Sequence, residues 1–326
     1  MIALNILKKN LEAYQNRGGI IQMKIAIIGT GAMGMLFGGY LSLNNEVTMV
    51  GRNQTNMELI EKDGVIIKET DGSERTFFLN ATVDSTKVGE VDLVVVLVKA
   101  GDSNQALKNH KSLIGKNTIL MTLQNGSGHE QVMGDYAVKE NIIIGTTQQG
   151  AYKIAPNCVV HSGGGETAIG AIVGDSNRFL DIANTFLESG LPCKVADKVK
   201  GMIWNKLMIN ASSSVLSGVL QTNQGYVEQN DYAWNLAKKL IQELCAVATA
   251  EGYPFDSEEQ IARIKKHLQN APSGYTSIYE DIKHARKTEV DVINGAVVAA
   301  GLRLGIPVPT HEYMVGLVHA MEGRQK

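Results

Sequence analysis

Apolar residues are spaced in two different ways along this chain. From about residue 24 to residue 195 they gather in short unbroken runs; beyond residue 197 they recur at three- and four-residue intervals. The runs at 25–28, 46–51, 91–98, 118–123 and 142–147 have the length of strands. A strand covered on both faces needs such a run, so they predict a largely parallel sheet. Residues 35–43 and 54–63 read as helices between the first strands. Runs at 64–67 and 75–79 flank Asp71-Gly72, a hairpin signal. Residues 168–174 read as a further strand and 176–188 as a helix that ends near Gly190.

The second spacing predicts helices. Residues 197–219 carry Ile203, Leu207 and Met208 at helical intervals, and 231–251 form a long amphipathic segment stopped by Gly252 and Pro254. Asp256 or Ser257 caps the next helix, which runs to about Asn270. One further helix is expected from near Ser277 to Gly305, and Thr310 is placed to cap a last short one. The fold class is therefore α/β: a Rossmann-type parallel-sheet domain over 23–196, followed by an all-helical domain over 197–326. Residues 1–22 stand apart as an N-terminal extension, with Met23 a candidate start. No flexible linker separates the halves, so they are expected to meet across a fixed cleft.

The junction of first strand and first helix carries candidate chemistry: Ile28-Gly29-Thr30-Gly31-Ala32-Met33-Gly34. In a Gly-x-Gly-x-x-Gly turn after a strand and before a helix, the first glycine makes the tight turn. The second lets the backbone approach a pyrophosphate, and the third lets helix and strand pack closely. Gly29, Thr30, Gly31, Ala32, Met33 and Gly34 are thus expected to cradle a dinucleotide. An NAD site usually places Asp or Glu at the end of the second strand; here that end reads Gly51-Arg52-Asn53. Arg52 suits a 2′-phosphate in charge and geometry, which favours NADP(H). Lys99 and Asn125 fall just past two further strands, where open parallel sheets bind ligands.

Composition narrows the field. The formal net charge is -2 with no basic stripe, so nucleic acid is not an expected partner. The three cysteines lie far apart without metal-ligand spacing, which fits a reducing, cytoplasmic setting and no metal site. No apolar run has the length of a membrane span.

In the helical half, Lys206, Asn210 and Ser214 follow one another at steps of four, a polar stripe beside Leu207, Met208 and Ile209. A second polar stretch spans 277–295, and its pattern alone does not choose among Glu280, Asp281, Glu289 and Asp291.

These motifs, in this order, resemble the ketopantoate reductase (2-dehydropantoate 2-reductase) family. The likeness rests on 29–34, Lys99-Ala100, Gln124-Asn125-Gly126, Trp204-Asn205-Lys206-Leu207 with Asn210, and Lys287-Thr288-Glu289-Val290-Asp291 followed by Ile293-Asn294-Gly295. It implies reduction of ketopantoate to pantoate by NADPH, a step toward pantothenate and coenzyme A. Lys206 would be the proton donor and Glu289 the carboxylate that holds the substrate hydroxyl and places the lysine. Asn125 and Lys99 would lie between cofactor and substrate, Asn210 and Ser277 would bind substrate, and Arg52 would meet the 2′-phosphate. Ser214 stands where a second substrate-binding asparagine is expected, and the lead-in to Ser277 is altered at 272–276. Two alternatives follow: a reductase of another branched 2-keto acid, or a non-catalytic NADP(H) sensor. The apolar C-terminal helices could form a homodimer face or an intramolecular core.

Overall fold

The computed structural model describes residues 22–324. The expected extension at 1–22 lies, except for Gln22, outside the described residues. The chain runs β1 (Lys24–Ile28), α1 (Ala32–Leu41), β2 (Glu46–Val50), α2 (Gln54–Asp63), β3 (Val65–Lys68), β4 (Glu74–Phe77), β5 (Asn80–Thr82), β6 (Leu93–Val96), α3 (Ser103–Asn109), β7 (Ile119–Thr122), α4 (His129–Met133), β8 (Ile142–Thr147), β9 (Gly150–Ala155), β10 (Cys158–Gly163), β11 (Thr167–Ala171), α5 (Leu180–Glu188) and β12 (Cys193–Val195). Eight strands form one sheet in the order β12-β11-β8-β7-β6-β1-β2-β5. Its neighbours are parallel except for the antiparallel pair β8–β11.

The unbroken apolar runs are explained by burial on both faces. Ile25 and Ile27 of β1 enter one core cluster with Phe37 and Met49, while Ala26 and Ile28 enter another with Leu107 and Leu113. Successive side chains of a strand point to opposite faces, so one run feeds two cores.

The hairpin at Asp71-Gly72 forms, but it belongs to a second sheet, ordered β4-β3-β10-β9. Strand β10 pairs with β3 in parallel, a long-range contact that local pattern does not specify.

The helical half comprises α6 (Val199–Ile209), α7 (Val215–Leu220), α8 (Gln224–Gln229), α9 (Asp231–Ala250), α10 (Ser257–Asn270), α11 (Ser277–Lys283), α12 (Val290–Leu304) and α13 (Pro309–Gly323). Its core gathers Trp204, Leu207, Leu240, Leu244, Ile264 and Val297. Among the described residues no helix is long and apolar enough to cross a membrane.

Three helical expectations are corrected. The helix over 197–219 is interrupted by a π-helical turn at Asn210–Ser214. There Ser212 donates to the Met208 carbonyl, and Ser213 donates to that of Ile209 at 3.3 Å. Hydroxyls bonding back to the preceding turn compete with the helical ladder and bend it. The helix over 277–305 is two helices, broken at His284–Glu289, where Ala285 has φ +56° and the Arg286 amide returns to the Asp281 carbonyl at 2.7 Å. Thr310 is not a cap: Val308 precedes a 15-residue helix with Pro309 at its first position, and the Thr310 amide and hydroxyl bond to Glu243 instead.

Candidate active site

The glycine-rich turn has the steric properties the spacing demands. Gly29 adopts φ +120°, and a Cβ there would meet the Leu97 carbonyl oxygen at 2.7 Å. A Cβ on Gly34 would come within 2.0 Å of the Gly29 oxygen, so this glycine packs α1 onto the strand. Gly31 differs: beyond its own chain neighbours, no described atom lies within 4 Å of where its Cβ would be. Protein packing does not require that glycine, and its missing side chain leaves open space beside the turn. Gly31 is also the N-cap of α1, no side chain caps the helix, and its first turn holds no acidic residue. An uncapped helix N-terminus with free space before it fits a diphosphate. Lys153 of β9 reaches the same turn, donating to the Thr30 carbonyl at 3.2 Å.

The turn opens onto a cleft of about 660 Å³. The sheet half contributes Gly29 to Met33, Arg52, Lys99, Asn125 and Gln149; the helical half contributes Lys206, Ser277 and Glu289. Most of the residues singled out in the sequence therefore share one cavity. Arg52 lies at the end of β2 with its side chain 89% exposed, 3.7 Å from the Asp102 carboxylate.

Lys206 projects from α6 toward the end of β8, and its ammonium donates to the Thr147 carbonyl at 3.0 Å. Burial pulls its pKa down from the usual lysine value to about 8, while the charge of Glu289 acts in the opposite direction. Lys99 follows β6, and its ammonium lies 2.6 Å from Asp281 and 3.9 Å from Glu289. The Ala100 amide points at the other Glu289 oxygen at 3.4 Å. Asn125 sits on a loop clamped to the helical half: Ser127 donates to the Val292 carbonyl at 2.9 Å, and a Cβ on Gly126 would strike that carbonyl oxygen at 2.4 Å. Gln124 anchors the loop from behind, bonding Val98 and Ser103.

The break between α11 and α12 sorts the four acids into two pairs. Glu280 faces His284 and Asp291 faces His319, whereas Asp281 and Glu289 face Lys99. Asp281, only 4% exposed, also accepts from Arg286 at 3.0 Å. Sequence pattern did not separate it from its neighbours; a single acid on the inner face of a short helix is the only signal it gives.

Two residues of the Lys206 stripe lie outside the lining of the main cleft. Asn210 lines, with Lys206, Gln124 and Asn125, a void of about 10 Å³. Ser214 is buried, outside the residues that line the cleft, and its carbonyl accepts from Thr276 at 3.2 Å. Thr276 in turn caps α11 through the Tyr279 amide, which sets Ser277 at the cleft.

Comparison with known proteins agrees with this architecture. Residues 25–174 match the family described as Ketopantoate reductase PanE/ApbA, and residues 198–322 match its C-terminal counterpart. A 2-dehydropantoate 2-reductase of Lactococcus lactis is 30% identical over 92% of this chain and 98% of its own length. A ternary structure of D-mandelate dehydrogenase with NADH and anilino(oxo)acetate superposes with TM-score 0.86 at 30% identity, covering 93% of this chain and 99% of that one. A 2-dehydropantoate 2-reductase from Geobacter metallireducens gives TM-score 0.85 at 26% identity over 91% and 99%.

Proposed function

The chain belongs to the ketopantoate reductase family, and on that premise we propose that it reduces 2-dehydropantoate to pantoate with NADPH, Lys206 being the proton donor. The observation that carries this reading is the meeting, in one cleft, of the glycine-rich turn with Lys206, Lys99 and Glu289.

A bound nicotinamide supplies the hydride. The remaining work falls to the protein. Reduction at C2 of a 2-keto acid turns the carbonyl oxygen into an alkoxide, which needs a nearby cation and a proton. Lys206 offers both. Its pKa of about 8 places the ammonium close to neutral working pH, where proton transfer is most effective. The Thr147 carbonyl holds that ammonium in place. Glu289 favours the charged form of Lys206 and would accept from a substrate hydroxyl. Lys99, fixed by Asp281, is a second cation suited to the substrate carboxylate. Ser277 and Asn125 complete the polar lining. Gly29 to Met33 would hold the diphosphate and Arg52 the 2′-phosphate.

The test is NADPH oxidation by the purified protein with 2-dehydropantoate, beside NADH and beside Lys206→Ala. Turnover abolished in the variant supports the reductase and the donor together. Cofactor binding without turnover keeps the dinucleotide reading and overturns the substrate. A second reading is a reductase of a different 2-keto acid. Ser214 favours it, standing where the resemblance expects a substrate-binding asparagine. A panel of branched and aromatic 2-keto acids decides between the two. A non-catalytic sensor would have no need of both Lys206 and Glu289 in the same cleft.

A further inference from the structure

We propose that Asp102 is a specificity-determining residue of the cofactor site. It supplies, from the turn after β6, the carboxylate that the end of β2 lacks, and so admits NADH alongside NADPH. This rests on the dinucleotide reading and deepens it.

In a doubly wound sheet the adenosine ribose is met at the end of the second strand. A carboxylate there takes the 2′-hydroxyl, and an arginine takes a 2′-phosphate. The chain itself offers Val50-Gly51-Arg52-Asn53 at that point, with no acid. The fold brings one from elsewhere. Asp102 Oδ2 lies 3.7 Å from Arg52 Nη1, and both residues line the cleft. Asp102 ends a single 3₁₀ turn, Ala100–Asp102, and its amide donates to the Lys99 carbonyl at 2.8 Å. One short turn thus carries Lys99 toward the substrate end and Asp102 toward Arg52.

The pair is open to water, with side chains 89% and 52% exposed, and an exposed ion pair holds weakly. Arg52 is free to turn to a 2′-phosphate. That phosphate would then stand close to the Asp102 carboxylate, and like charges at this range repel. A ribose 2′-hydroxyl meets no repulsion and donates to the same carboxylate. Arg52 and Asp102 therefore pull selectivity in opposite directions.

The experiment is fluorescence titration of the wild type, Asp102→Asn and Arg52→Met with NADPH and with NADH, which needs no turnover. Asp102→Ser is a second variant expected to act in the same direction as Asp102→Asn. Removing the acid should tighten NADPH and weaken NADH, raising the selectivity ratio about tenfold. Arg52→Met should lower the ratio by at least as much. The gain for NADPH should shrink at high salt. A ratio changed less than twofold in both Asp102 variants, with both cofactors still bound, overturns the role of Asp102 and leaves the dinucleotide reading standing. A wild type that binds neither cofactor overturns both.

Discussion

On the sheet side of the cleft the contacts offered to a diphosphate are backbone, the turn from Gly29 to Met33 and the uncapped end of α1, with the side chains of Arg52, Lys99 and Asn125 alongside. On the helical side they are side chains: Lys206 from α6, Ser277 from the start of α11, and Glu289 at the cap of α12. Backbone donors suit a ligand part common to many enzymes, because they require only a conformation. Ionisable side chains suit the reacting part, because their charge and protonation can be tuned by burial. The two walls should therefore fail independently when altered.

The largest expected effect separates them most sharply. Lys206→Ala should lower kcat roughly 10²- to 10⁴-fold, the usual range for losing a general acid, while NADPH affinity measured by fluorescence stays within a factor of about two. A parallel loss of cofactor affinity would break the division between the walls.

The converse change is Gly31→Ala. The new methyl meets no described atom within 4 Å beyond its chain neighbours, so the melting temperature should hold. It would project where a diphosphate must approach, and overpacking of that kind costs about 1–3 kcal/mol, or roughly 10- to 100-fold in cofactor Kd. With saturating cofactor, turnover should largely recover. A lower melting temperature would mean that Gly31 serves the fold and not the ligand.

Next in size is Asp281→Asn. The carboxylate holds Lys99 at 2.6 Å and Arg286 at 3.0 Å, and a charge-assisted bond of this kind is worth about 1.5 kcal/mol or more. The KM for the keto acid should rise about tenfold with little change in cofactor Kd. Unchanged KM would leave Asp281 a structural clamp for the break between α11 and α12.

The walls also differ in how openly the sequence declares them. The sheet wall was legible because each of its parts is local. A strand-length apolar run, glycines at fixed spacing and a following helix are contiguous, and the steric demands on Gly29 and Gly34 follow directly. The helical wall was legible only in part. Its residues lie on helices whose phase is reset twice, once by the serine-rich π turn and once by the break at His284–Glu289. Counting in steps of four assigned Ser214 to the cleft, whereas Ser214 is buried outside the residues that line it. Reading through the second reset left Glu289 no better placed than three neighbouring acids. Asp102 escaped notice for a third reason: it approaches Arg52 across the sheet, from a turn fifty residues away in the chain.

The smallest effect tests whether Glu289 acts on Lys206 through charge. As the proposed proton donor Lys206 must hold its proton, so kcat/KM should be level below about pH 8 and fall as pH rises through that value. Burial sets the low pKa by disfavouring the ammonium, and the Glu289 carboxylate opposes burial by favouring it. Glu289→Gln removes that opposition while keeping the shape of the side chain. Burial then acts with less resistance, the ammonium gives up its proton more readily, and the falling limb of the profile should move to lower pH. The position of the limb is independent of its height, so a general loss of activity in the variant does not obscure the reading. A limb that stays in place would show that Glu289 contributes contact alone. A limb that moves upward would mean that the group titrating in the profile is not Lys206.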